Sequence, residues 1–322
     1  MKRIGILTSG GDAPGMNACI RAAVRAAQAY DVEIVGVRWG YKGLISGEMM
    51  SLDRQVVANI IHQGGTILGT ARSQEFETKE GRARAIANMK REEIDGLILI
   101  GGDGTFRGGS CLIAESDRVV VGVPGTIDND CYGTDFTIGF DTAINTALEA
   151  IDRIRDTATA HDRLFFVEVM GHHTGFIALE SGIAGGAEDL LIPEAPMSIN
   201  GLCRRLEKNF LGGKRSAIVV VAETGQPGDS FRIAREIKEK TGVESRVCIL
   251  GHVQRGGVPT ARDRVLASRL GVAAVEALLA GKRGCMIGEI KGRTVCTPFE
   301  ATWSKKKRLP PGLLRLSEIL SG

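Results

Sequence analysis

Apolar and polar positions fall in alternating blocks along the chain. Seven short runs are almost wholly apolar and rich in β-branched residues, at 3–8, 33–37, 96–100, 118–123, 164–169, 216–222 and 247–250. Runs of this kind suit strands covered on both faces. Between them lie stretches with helical spacing of apolar residues, at 15–29, 81–91, 141–155 and 231–241. Strand–helix–strand repetition predicts an α/β fold with largely parallel sheets sandwiched by helices. Seven or more strands fit two Rossmann-like lobes, with a change of sheet near residue 140 and the active site in the cleft between the lobes. No low-complexity linker marks that boundary.

In such sheets the ligand-binding loops leave the carboxyl ends of the strands. Six strand ends here carry glycine with polar or charged residues: Gly10-Gly11-Asp12, Gly101-Gly102-Asp103-Gly104-Thr105, Thr126-Ile127-Asp128-Asn129-Asp130, Met170-Gly171-His172-His173-Thr174-Gly175, Glu223-Thr224-Gly225 and Gly251-His252-Val253-Gln254-Arg255. Glycine lets backbone N–H groups approach a phosphate, and a helix start adds free N–H donors. A plain strand-to-helix turn is the alternative for Gly10–Asp12. Asp103 among such amides repels a phosphate unless a cation bridges them, and Mg2+ does this with one or two carboxylates. Asp128 and Asp130 stand two apart on a segment read as extended, so both face one side, one as general base for a hydroxyl. A helix N-cap is the competing reading there. No Walker motif, dinucleotide G-x-G-x-x-G or calcium loop occurs.

Composition narrows the class. The 322 residues hold 41 Lys+Arg against 38 Asp+Glu, a net charge of +3, which speaks against a strongly basic nucleic-acid binder. Hydrophobic residues at 43% and charged residues at 25% are ordinary for a globular protein, and no apolar run is long enough to span a membrane. Seven cysteines without C-x-x-C spacing exclude a zinc ribbon. Cys19, Cys111 and Cys248 read as small core residues in a reducing, cytoplasmic compartment. Arg163, His172, Arg246, His252 and Arg255 would suit a phosphorylated substrate, since guanidinium forks match phosphate oxygens. Arg21 and Arg25, four apart on one helix face, could form a second anion pocket with Arg54, Arg155, Lys214 and Arg215. The run Lys305–Arg308 reads as a solvated face. Together these features point to Mg-dependent phosphoryl transfer onto a phosphorylated, hydroxylated acceptor.

In order and spacing, TSGGDAPGMNA, GGDGT, PGTIDND, MGHHTGF and LGHVQRGG resemble the bacterial 6-phosphofructokinases from residue 2 to about residue 310. The resemblance implies transfer of the ATP γ-phosphoryl group to the 1-hydroxyl of fructose 6-phosphate, in a cytoplasmic homotetramer with shared sites. It implies an ATP-binding lobe of residues 1–139 plus 252–302 and a sugar-phosphate lobe of 140–251 plus 303–322. Asp128 becomes the base, with Thr126, Asp130, Gly11, Arg72 and His172 as further catalytic positions. Asp103 holds Mg2+. Gly11, Tyr41, Arg72, Ser73, Gly102, Asp103, Gly104, Thr105 and Gly108 bind ATP, with Phe76 and Arg82 beside them. Thr126, Ile127, Asp128, Met170, Gly171, His172, Glu223, His252 and Arg255 bind the sugar phosphate, while Arg163 and Arg246 reach it from a neighbouring subunit. An effector pocket for ADP or phosphoenolpyruvate maps to Arg21, Arg25, Arg54, Asn59, Arg155, Gly186, Glu188, Gly212, Lys214, Arg215 and Ser216.

Pyrophosphate users of the broader family resemble GGDD and PKTIDND, so Gly104 and Gly125 here imply ATP as donor. Three departures stand out. His172 replaces the usual arginine of MGR-x-x-G, exchanging a permanent forked charge for a titrating imidazole. Gly212, Ser216 and Asn59 thin the effector pocket, and Glu77 replaces a common basic residue near the nucleotide.

Overall fold

The computed structural model describes residues 1–321 apart from Asp162, Lys214, Arg215, Gly225 and Gln226. Along the chain run β1 (Arg3–Thr8), α1 (Met16–Ala29), β2 (Glu33–Val37), α2 (Gly40–Ser46), β3 (Met49–Ser51), α3 (Lys79–Arg91), β4 (Gly96–Gly101), α4 (Asp103–Glu115) and β5 (Val119–Pro124). Next come α5 (Phe140–His161), β6 (Leu164–Val169), α6 (Phe176–Ala184), β7 (Asp189–Leu191), α7 (Ile199–Leu211), β8 (Ala217–Ala222), α8 (Asp229–Thr241) and β9 (Ser245–Ile249). The chain finishes with α9 (Ala261–Leu279), β10 (Cys285–Ile290), β11 (Arg293–Pro298), α10 (Phe299–Ser304) and α11 (Pro311–Leu320).

Two units result, one of Met1–Thr142 with Arg255–Lys307, the other of Ala143–Gln254 with Arg308–Gly322. The first holds a seven-stranded sheet in the order β11-β10-β5-β4-β1-β2-β3. Its strands are parallel from β10 to β2, with β3 and β11 antiparallel at the edges. The second holds a parallel sheet in the order β7-β8-β6-β9. The α/β reading with two mostly parallel, helix-flanked sheets therefore holds.

Burial explains the apolar runs. Every residue of β4 and of β8 is buried, as expected of inner strands with helices on both faces. In the first unit Leu7, Tyr41, Phe76, Leu99, Phe106 and Phe299 share one core. In the second, Phe166, Leu202, Leu206, Val219, Ile233 and Ile237 share another. Asp263 of α9 is 1% exposed and anchors the start of α5, accepting the N–H groups of Gly139 and Thr142 at 2.9 and 2.8 Å. No helix among the described residues is long and apolar enough to cross a membrane.

The cysteine reading needs correction. Cys19 is buried, and burial pushes its thiol up to about 12. Cys111 is exposed on α4, and Cys248 is only half-buried because β9 is an edge strand. Cys285 and Cys296 form a disulfide between diagonal positions of the β10–β11 hairpin, Cys285 standing opposite Pro298 and Cys296 opposite Ile287. The helix expected at 141–155 continues to His161.

Candidate active site

In the first unit β1, β4 and β5 are parallel neighbours, so the loops at their carboxyl ends lie side by side. Thr105 Oγ1 donates to the Ser9 carbonyl at 3.0 Å, and Thr70 Oγ1 donates to the Gly10 carbonyl at 2.7 Å. The Gly10–Asp12 turn, the 101–105 loop and the segment leading to Arg72 are thus stitched together. A Cβ on Gly11 would lie 2.2 Å from Nη1 of Arg255, and that guanidinium donates to the Asp12 carbonyl at 3.3 Å. Only glycine lets Arg255 pass so close.

Four of the expected nucleotide-site residues share one buried cluster. Tyr41 and Phe76 stack with ring centroids 3.9 Å apart, and the Tyr41 hydroxyl donates to the Thr105 carbonyl at 2.5 Å. Burial raises the Tyr41 phenol well above its ordinary value, so it stays a donor. A Cβ on Gly108 would meet the Tyr41 ring at 2.7 Å. Arg82 is held by the Glu115 carboxylate at 2.8 Å and donates to the carbonyls of Phe76 and Glu77. Gly102 and Gly104 face open space instead: a Cβ at either position would meet no atom within 4 Å. Ser73 Oγ accepts the Phe76 N–H, and Arg72 is exposed.

Asp103 opens α4 instead of sitting on a separate loop. Its Oδ1 accepts the Gly104 N–H at 2.7 Å, and its side chain is 52% exposed. Asp128, four residues after the end of β5, is 9% exposed, its Oδ2 3.5 Å from the Thr126 hydroxyl, which also accepts the Asp128 N–H at 3.3 Å. Ile127 is fully buried. The sequence reading expected this segment to be extended, but it is bent. Asn129 has φ 54°, and its carboxamide bonds Thr137 and Asp135, so strand alternation does not govern Asp128 and Asp130. The buried Cys131 thiol is raised first by burial, then by Asp130, Asp103 and Asp128, and lowered by Lys307.

In the second unit β8, β6 and β9 are parallel neighbours, and their carboxyl ends carry Glu223, the 170–174 loop and the turn holding His252. The Glu223 N–H donates to the Val169 carbonyl at 2.9 Å. Gly171 carries Thr174 on its carbonyl, through the Thr174 N–H at 2.8 Å and hydroxyl at 3.0 Å. The Met170 N–H donates to Gln254 Oε1 at 2.8 Å. His172 and His252 are exposed, and His172 has φ 56°. Arg163 and Arg246 lie at the other end of this sheet, beside the first residues of β6 and β9. Both act on Glu244, whose carboxyl is held low by Lys238 first and then by Arg246 and Arg163.

The expected effector residues divide between the units. Arg21 and Arg25 do share a face of α1: burial, then the Arg25 charge, lowers the Arg21 pKa. Arg54 Nε donates to Gln28 on the same helix at 3.1 Å, and the Asn59 carbonyl accepts from Gln63. In the second unit Arg155 donates to the carbonyls of Gly185 and Gly186, and Glu188 accepts the Ile218 N–H at 2.6 Å. Gly212 caps α7 and Ser216 precedes β8. Lys214 and Arg215 lie outside the described residues. Sequence reasoning assigned no role to Gln254, Asn129 or Lys307. The first two sit inside quoted motifs, which is the signal that could have found them.

Known proteins share this layout. A model of the phosphofructokinase family matches residues 3–278. The ATP-dependent 6-phosphofructokinase 1 of Thermus thermophilus is 60% identical over 100% of both chains, and the ATP-dependent 6-phosphofructokinase of Bacillus subtilis 52% over 100% of both. The crystal structure of Pichia pastoris phosphofructokinase in the T-state matches with a TM-score of 0.88 at 36% identity, over 94% of this chain and 37% of that one. A pyrophosphate-dependent phosphofructokinase from Marinobacter aquaeolei, TM-score 0.85 over 100% of this chain and 92% of its own, is 22% identical and attests the fold alone. With strand-end loops, motifs and full-length relatives in agreement, this chain belongs to the phosphofructokinase family.

Proposed function

We propose that this chain catalyses transfer of the ATP γ-phosphoryl group to the 1-hydroxyl of D-fructose 6-phosphate, giving fructose 1,6-bisphosphate and ADP, as a cytoplasmic enzyme of glycolysis. The observation that carries the reading is Asp128, largely buried after β5 and within reach of the Thr126 hydroxyl. Its carboxylate accepts the proton of the 1-hydroxyl as that oxygen attacks the γ-phosphorus and ADP leaves. A positioned base of this kind supplies about a hundred- to ten-thousandfold. Positioning and electrostatics supply the rest.

ATP as donor is supported by the names of the full-length relatives and by Gly104, which leaves the space beside the phosphate loop open. Gly11, Arg72, Ser73 and residues 102–105 hold the phosphates, with the Tyr41–Phe76–Gly108 cluster bracing the loop. Asp103 fits Mg2+: it is an exposed carboxylate at a helix start, with the Arg107 guanidinium 3.8 Å away. Such a site suits an ion that keeps its waters and takes phosphate oxygens. When bound, Mg2+ neutralises charge on the transferring phosphoryl group.

Met170, Gly171, His172, Glu223, His252 and Arg255 bind fructose 6-phosphate. Arg163 and Arg246 join them only from another subunit. The first residue of β6, next to Arg163, lies six strand steps, about 20 Å, from Met170. This favours a homotetramer with shared sites. The cations of α1, Arg54 and Arg155 take ADP or phosphoenolpyruvate as effectors, with an altered preference because Gly212, Ser216 and Asn59 bring no charge. The reading is tested by ADP release with ATP, Mg2+ and fructose 6-phosphate, beside a run with pyrophosphate. Turnover with ATP alone is expected; turnover with pyrophosphate alone would overturn the donor, and none with either would overturn the activity.

A further inference from the structure

The charge run at 305–308 is not uniformly solvated. Lys305, Lys306 and Arg308 are exposed, but Lys307 is half-buried. Its Nζ lies 2.8 Å from Oδ1 of Asn129 and 2.9 Å from the Asp135 carbonyl. Asn129 separates Asp128 from Asp130 and is 2% exposed. Its Oδ1 also accepts the Thr137 N–H at 3.0 Å, and its Nδ2 donates to the Asp135 carbonyl at 3.2 Å. Thr137 Oγ1 in turn donates to the Thr126 carbonyl at 2.6 Å. The loop that carries the acid–base chemistry is thus folded back on 135–137, and a lysine ammonium closes the fold-back at its centre.

The energetics favour a purpose for this contact. Ordering a long lysine side chain is entropically costly. A hydrogen bond from an ammonium is stronger than one between neutral groups. It is spent here on a carboxamide flanked by two carboxylates. Asn129 has a left-handed backbone, which only a few residue types adopt readily and which must be held by its surroundings. Lys307 is also the last residue of its unit before the chain continues as Arg308 in the other.

We propose that Lys307 is a positioning residue for phosphoryl transfer: its ammonium fixes the Asn129 carboxamide and so holds Asp128 and Asp130 in their working orientations. The proposal rests on Asp128 being the base. It assigns Lys307 no contact with ATP or sugar.

Steady-state kinetics and hydrogen exchange test it together. Lys307→Met should lower kcat about tenfold while leaving the KM for ATP unchanged. Lys307→Arg should recover most of kcat, and Lys306→Met should match the wild type. Exchange in peptides covering 126–137 should quicken in Lys307→Met and not in Lys306→Met. Wild-type kcat in Lys307→Met, no recovery in Lys307→Arg, or unchanged exchange would each overturn the proposal. A wild-type protein without turnover would instead overturn the assignment of the activity, and the exchange comparison would still decide whether Lys307 holds the loop.

Discussion

The side chain of Gln254 accepts the Met170 backbone N–H at 2.8 Å, joining two loops that leave neighbouring strands. Gln254 is completely buried, and among the described residues its Nε2 has no hydrogen-bond partner. Removing the acceptor strands a buried N–H, which costs about 1–3 kcal/mol. Gln254→Met keeps the volume and removes the acceptor. We expect its KM for fructose 6-phosphate to rise about tenfold, by the same magnitude, with the KM for ATP unchanged. Equal shifts in both constants would mean that the bond braces the unit and not the sugar-phosphate loops.

Donor choice can be probed at one position. A side-chain carbon on Gly104 meets nothing within 4 Å, so Gly104→Asp should fold normally. Its carboxylate would lie beside the phosphate-facing amides, and repulsion at this range should cut ATP turnover at least about a hundredfold. Gly125 behaves differently. A carbon there would meet Ile100 at 2.8 Å and Met16 at 3.1 Å, so Gly125→Lys should lower the thermal midpoint as well as activity. Comparing midpoints of the two variants separates electrostatic exclusion from repacking.

What the sequence revealed follows the reach of each signal. Strands β1, β2 and β6 were readable to the residue because a fully covered strand prints a continuous apolar run. β3 and β7 are three residues long, too short for any periodicity. The six strand-end loops were visible as glycine beside charge. The bonds that shape them were not, because they join distant positions: Gln254 and Met170 are 84 residues apart, Lys307 and Asn129 178. A lysine that braces a loop has the same local sequence as one in solvent. The bend at Asn129 was hidden for the same reason, since Thr137 and Asp135 impose it.

Asp189 offers a test of stability against pH. It is 3% exposed, its Oδ1 lies 3.4 Å from Arg205, and its Oδ2 has no hydrogen-bond partner among the described residues. Burial raises its pKa above the usual carboxylate value, only partly offset by Arg205 and the Leu190 N–H. The folded state therefore holds this proton more tightly than the unfolded one. Its stabilising contribution is complete below the unfolded value and is lost as pH rises through the folded value. At neutral pH the ionised group is a cost. Asp189→Asn should raise the thermal midpoint near pH 7.5 by about 2–4 °C, with the gain shrinking as pH falls towards 4. A gain independent of pH would show that folding leaves the proton affinity of this carboxyl unchanged.

His172 stands where the resembled pattern MGR-x-x-G has arginine, with φ 56°, an exposed ring and the His173 ring 4.1 Å away. Histidine tolerates this left-handed geometry better than most residues. Under the proposed reaction the ring faces phosphate charge, where a guanidinium would bring a permanent charge and a forked pair of donors and an imidazole binds through one nitrogen. Losing one such donor in a preorganised site costs about 2.7–4 kcal/mol in full. His172→Arg should therefore raise kcat/KM by about a hundredfold or more. An unchanged kcat/KM would show that the side chain at this position does not act on the transferring group, leaving the backbone conformation as the reason for a histidine at this position.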